Sequence, residues 1–226
     1  MVLRKERRSY YGYQPDAYEA GRGYGDVLLD FGITLLFSLP LGMVIAFGRM
    51  SKKRIVQGIT KIYISIMRGT PLMLQLMVVY FGPYYLFGIK ISPFYRNIAV
   101  VIGFVLNYAA YFAEIYRSGI ESMPVGQYEA AEILGYSKSQ TFLHIILPQV
   151  IKRILPSVTN EVITLVKDTS LAFVIAVSEM FTIAKALASS QTSMVPYVAA
   201  GIFYYVFNFL VAWIMEKIEK HLSYYR

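Results

Sequence analysis

The feature that most constrains this chain is a series of long stretches almost free of charge. Val27 to Gly48 carries only Asp30, and Gly69 to Ile89, Asn97 to Ala113 and Ala186 to Met215 carry no charge at all. A helix needs roughly 20 mostly apolar residues to cross about 30 Å of hydrocarbon. Four such stretches predict four membrane spans. The last helix is expected to begin near Pro196, because proline suits a first helical turn. Only 16% of the 226 residues are charged and 56% are hydrophobic, too little polar surface to wrap a soluble domain of this length. The first span starts too late and runs too long for a signal-peptide core, so a retained membrane helix is expected.

From Ile154 to Lys185 the chain is again apolar but includes Glu161, Lys167, Asp168 and Glu179. We read it as a fifth span whose polar residues face the protein interior, the alternative being a pair of interfacial helices. The fold class expected is an all-α membrane protein of about five transmembrane helices. Residues 1–25 are expected to form a basic, irregular tail, and residues 26–226 the transmembrane domain.

Charge sets the orientation. Arg49, Lys52, Lys53, Arg54, Lys61 and Arg68 follow the first span; Arg117, Lys138, Lys152 and Arg153 follow the third; Lys217, Lys220 and Arg226 follow the fifth. All fall on one side of a five-span chain, which the positive-inside rule makes the cytoplasm. The opposite loops hold Lys90, Arg96 and Lys185. The C-terminus is then cytoplasmic and the N-terminus outside, although the tail carries Arg4, Lys5, Arg7, Arg8 and Arg22. The net charge of +8 is thereby assigned to topology at a membrane face, and no nucleic-acid partner is expected.

One segment, residues 121–148, is polar and helical. After Pro124, good helix formers run from Gly126 to Leu134, and Gly135 follows where helices commonly end in a left-handed turn. Ser137 with Gln140 spells a capping box for a second short helix, which Pro148 is expected to stop. Ala130 and Ala131 are small and allow another surface to approach. This hairpin is either an amphipathic connector lying on the membrane or a knob that docks into a groove on a soluble partner.

Glu129-Ala130-Ala131, Gly135 after three more residues, and Ile146-Leu147-Pro148 resemble the EAA loop of ABC importer permeases. Arg68-Gly-Thr-Pro71, Ala113-Glu-Ile-Tyr-Arg117-Ser-Gly119 and Lys167-Asp-Thr-Ser-Leu171 occur in the order seen in polar-amino-acid permeases of the histidine, glutamine and arginine type. The resemblance runs from about Gly32 to the C-terminus. It implies a type I importer permease fold in the plasma membrane of a bacterium. It also implies coupling to two ATPase subunits through Glu129, Ala130, Ala131 and Gly135. The remaining implied partners are a second permease subunit, identical or similar, an extracytoplasmic solute-binding protein, membrane lipid and an amino-acid substrate.

The chain has no G-x-x-x-x-G-K-[ST] loop, no cysteine and only two histidines, His144 and His221. No cofactor, metal site or catalytic residue is expected, and ATP hydrolysis is assigned to the partner. Movement would be alternating access, with the ATPase pair pulling on the hairpins. A charge at the centre of a spanning helix costs at least about 2.5–3.5 kcal/mol, so an acid there needs a partner or a wet cavity. Glu161 and Asp168, seven residues apart, share a helical face with Thr164 and Leu165 between them. These four are the expected substrate-binding residues, and two carboxylates favour a cationic amino acid such as arginine, lysine or histidine. The packing alternative is that Lys167 and Asp168 merely pair near the cytoplasmic end. Competing functions are an ion-coupled secondary transporter or channel, and an importer of another small polar solute.

Overall fold

The computed structural model describes residues 17–222, and every element among them is helical. The helices are α1 (Ala17–Arg49), α2 (Arg54–Gly69), α3 (Leu72–Phe87), α4 (Pro93–Glu121), α5 (Val125–Ile133), α6 (Lys138–Gln140), α7 (Leu147–Asp168), α8 (Met180–Gln191) and α9 (Val195–Leu222). Three stretches are long and apolar enough to cross a membrane as single helices: Val27–Arg49, Phe94–Glu121 and Val195–Leu222. Two bent pairs pass the same test together, α2 with α3 and residues 138–175 with α8, which gives up to five spans if each bent pair counts as one.

The bent pairs differ from the straight spans expected. The second span is broken at Thr70–Pro71 with a 112° bend. Its first half, α2, carries Arg54, Lys61 and Arg68 of the cations that follow the first span. It is an amphipathic helix with Ile55, Ile59, Ile62 and Ile66 on one exposed stripe. The fifth apolar segment is also broken, by 60°. After α7 the chain tightens into a 3₁₀ turn over Thr169–Ile175 and reverses at Ala176, whose φ is 57°. Glu179 then caps α8, accepting from the Phe181 and Thr182 amides at 2.6 and 2.8 Å. Such a carboxylate satisfies donors that a helix start leaves free. Tyr204 of α9 donates to the same carboxylate at 3.0 Å, and Arg96 donates to the Ala176 carbonyl at 2.9 Å, so the break is held from two sides.

The tail before Ala17 lies outside the described residues. From Ala17 onward the chain is helical, so the irregular tail does not extend to residue 25 as expected.

At the centre α1 and α4 pack with backbones nearly touching. A Cβ on Gly42 would sit 2.8 Å from the Phe112 Cβ and 3.1 Å from the Ala109 carbonyl. The main core fills the space between α1, α2, α4 and α7 with Ala46, Ile64, Tyr108, Phe112, Tyr116, Ile154 and Leu165. A second core joins α1, α7, α8 and α9 through Val27, Val162, Val166, Met180 and Phe207. The outer faces stay apolar: Ile202, Val206, Phe209 and Trp213 of α9 are all exposed, as a lipid-facing helix requires.

Candidate functional site

Two regions stand out. The first is the hairpin. α5 ends in a Schellman motif: Tyr136 N–H donates to the Ala131 carbonyl and Gly135 N–H to the Glu132 carbonyl, both at 3.0 Å. Gly135 carries the positive φ, 78°, that this closure needs. The capping box forms as expected, with Gln140 N–H donating to Ser137 Oγ and Ser137 N–H donating to Gln140 Oε1. Pro148 does not stop the second helix. Residues Thr141–Ile146 widen into a π turn in which Leu147 N–H reaches back to the Phe142 carbonyl, and Pro148 sits in the first turn of α7. The π turn leads directly into Pro148, and the hairpin runs on into α7 without a break.

The hairpin is braced from below. Arg153 donates to the Ser122 carbonyl at 2.7 Å, Arg117 pairs with Glu114 and Glu121, and Phe142 packs edge-on against Phe47 of α1. Its tip points away from the bundle. Glu129, Ala130 and Gly135 are exposed, together with the large apolar side chains Val125, Ile133 and Leu134. Ala131 is turned inward and is 1% exposed, so of the two alanines only Ala130 offers a surface. The tip therefore presents exposed apolar groups beside the exposed acids Glu129 and Glu132, which makes it a candidate docking surface.

The second region is the face of α7 that carries the acids. Glu161, Thr164 and Asp168 are half-buried, and Leu165 is fully buried against the main core. Glu161, Thr164 and Asp168 thus line one open edge, whereas Leu165 supports it from behind. Asp168 accepts a hydrogen bond from Tyr108 at 2.7 Å. Thr164 spends its hydroxyl hydrogen on the Asn160 carbonyl at 2.9 Å and keeps its oxygen as an acceptor. Lys167 points elsewhere, into a cleft of about 400 Å³ with Ser170, Phe181, Tyr197 and Tyr204.

Arg68, at the end of α2, has its guanidinium 5.2 Å from the centre of the Tyr111 ring of α4. Arg68, Tyr108 and Tyr111 therefore join the acids, and no sequence argument singled out the two tyrosines. The available signal was a pair of polar groups, Asn107 and Tyr108, inside an otherwise uncharged span. Among the described residues no group of three or more His, Cys, Asp or Glu side chains is arranged to hold a metal.

Bent spans, a bundle with apolar outer faces and a projecting helical hairpin define a multi-pass membrane permease. The family model for the inner membrane component of binding-protein-dependent transport systems matches residues 38–224, and the chain belongs to that family. It is 41% identical over 198 residues to the L-cystine transport system permease protein TcyL of Bacillus subtilis (strain 168), covering 84% of this chain and 82% of that protein. It is 37% identical over 192 residues to the arginine transport system permease protein ArtQ of the same organism, covering 84% and 86%. Its fold matches the crystal structure of an amino acid ABC transporter with histidines at a TM-score of 0.81 and 29% identity, covering 90% of this chain and 94% of that one. The fold is the type I importer permease fold, and the chain is a transport component and not an enzyme.

Proposed function

We propose that this chain is the membrane-spanning permease subunit of an ATP-driven importer for a polar amino acid. The observation that carries this reading is the braced hairpin of α5 and α6, whose exposed tip with Glu129, Ala130 and Gly135 has the form of a docking knob. Its partners are two ATPase subunits that grip the knob, a second permease subunit and an extracytoplasmic solute-binding protein. ATP-driven closure of the ATPase pair pushes two rigid hairpins together. Because each hairpin is continuous with α7, the movement reaches the acid face directly. The cycle is alternating access. The hairpin and C-terminus lie in the cytoplasm and the N-terminus lies outside, following the basic loops.

The solute contacts Glu161, Thr164 and Asp168. A cationic amino acid suits the two carboxylates, and the arginine-transporting relative supports it. The cystine-transporting relative is more similar, and Arg68 beside the acids supplies a partner for a solute carboxylate. The site thus suits any amino acid with both charges, and the carboxylate pair adds a preference for a cationic side chain.

Copurification from a membrane extract tests the assembly: the chain should bring down a P-loop ATPase, and Glu129→Lys should release it. Uptake that survives ATP depletion would sink the importer reading.

A further inference from the structure

The break between α2 and α3 has a chemical cause. Pro71 has no N–H, so it cannot bond the Met67 carbonyl four residues back, and the helix cannot pass through it. The Met67 carbonyl that this strands needs another donor. Two side-chain amides fill that role. Gln75 Nε2 donates to the Met67 carbonyl at 2.9 Å, and Asn107 Nδ2 donates to it at 3.1 Å. Asn107 also donates to Gln75 Oε1 at 2.9 Å, and Gln75 Nε2 reaches the Thr70 hydroxyl at 2.8 Å. Both amides are buried.

Asn107 lies midway along α4. The next residue, Tyr108, holds Asp168, and Tyr111, one turn further on, lies under Arg68. One stretch of α4 therefore fixes three things together: the elbow, the acid helix and the cation. Arg68 follows directly after the capped Met67, so its position is set by how that carbonyl is bound.

We infer that Gln75 and Asn107 are positioning residues for solute recognition: by capping the Met67 carbonyl that Pro71 strands, they hold Arg68 at the level of Glu161 and Asp168. This inference rests on the substrate face proposed above. Neither amide needs to touch the solute. Loss of either lets the elbow drift and weakens solute binding, while the hairpin and α7, which transmit the ATPase stroke, are untouched.

The test uses the purified permease–ATPase complex and radiolabelled arginine, histidine and cystine, continuing with whichever the wild type binds. Gln75→Ala and Asn107→Ala should each raise the Kd about tenfold, whereas maximal uptake at saturating loaded binding protein stays within about twofold. Asn107→Asp, which keeps the shape and removes both N–H bonds that reach Met67 and Gln75, should raise the Kd in the same direction and covers failure of the alanine variant to insert. Pro71→Ala supplies a backbone N–H to Met67, so adding Gln75→Ala to it should weaken binding no further. A wild-type Kd in Gln75→Ala and Asn107→Asp, or full additivity with Pro71→Ala, overturns the inference. Glu161→Ala is measured alongside. If it binds solute normally, the substrate face itself is wrong. If it loses binding while the amide variants keep it, only the positioning role is wrong.

Discussion

Gly42→Ala sets two effects of opposite sign against each other. In a helix, alanine is favoured over glycine by up to about 1 kcal/mol. The new methyl, however, would lie 2.8 Å from the Phe112 Cβ, 3.1 Å from the Ala109 carbonyl oxygen and 3.3 Å from the Ala113 nitrogen. Carbon atoms rest about 3.5–4.0 Å apart, so α1 and α4 must part by roughly 0.7 Å or more. Two of the three neighbours are backbone, and no rotamer change relieves them. A gap of that size forfeits about a quarter to a half of the dispersion energy along the seam, and overpacking costs about 1–3 kcal/mol. The seam is the most extensive helix pair in the bundle, so packing wins, and the net destabilisation is about 1–2 kcal/mol. Gly58→Ala in α2 is the control, because nothing lies within 4 Å of a Cβ there. Thermal unfolding in one detergent should show Gly42→Ala melting roughly 2–8 °C lower, at about 2–4 °C per kcal/mol for a chain of this size. Gly58→Ala should melt at or above wild type. A rise in both variants would refute the close approach of α1 and α4.

Three further outcomes follow from the same geometry. Gly135→Ala forces a side chain into the left-handed region at a cost of about 1–2 kcal/mol borne by the hairpin turn, and should reduce ATPase copurification. Glu179→Ala removes a helix cap worth about 0.5–2 kcal/mol and the acceptor of the Tyr204 hydrogen bond, so it should lower the melting point where the exposed Glu132→Ala does not. Tyr108→Phe deletes the donor to Asp168, a charged hydrogen bond worth about 1.5–3 kcal/mol, and should weaken solute binding more than Tyr205→Phe on the outer face of α9.

The straight spans were legible because each is a long window without charge, and lipid demands nothing subtler. The hairpin was legible in detail, since Gly135, Ser137 and Gln140 have local roles that a sequence displays. What failed was local chemistry with a tertiary answer. In the stretch Lys52 to Arg68 the charges mask an amphipathic helix that only the isoleucine spacing reveals. Pro148 looked like a stop because a π turn leaves no sequence mark. The broken fifth segment depended on Glu179 finding Tyr204, contributed by another helix.

The candidate site divides in the same way. Glu161 and Asp168 were legible from their seven-residue spacing. Leu165 lies on the angular edge of that face, and only packing against Tyr108 and Phe112 decides that it turns inward. Met67, Gln75 and Asn107 meet where the chain bends by 112° at Pro71, which spacing along a straight helix cannot foresee.

Reconstitution tests the central claim most directly. Proteoliposomes would carry this chain with its permease partner, the copurifying ATPase and the solute-binding protein, and accumulation of radiolabelled amino acid would be followed. The account predicts uptake that requires both ATP and the binding protein and is lost in Glu161→Ala and in Glu129→Lys, the latter with ATPase docking. Equal uptake with and without ATP would contradict it.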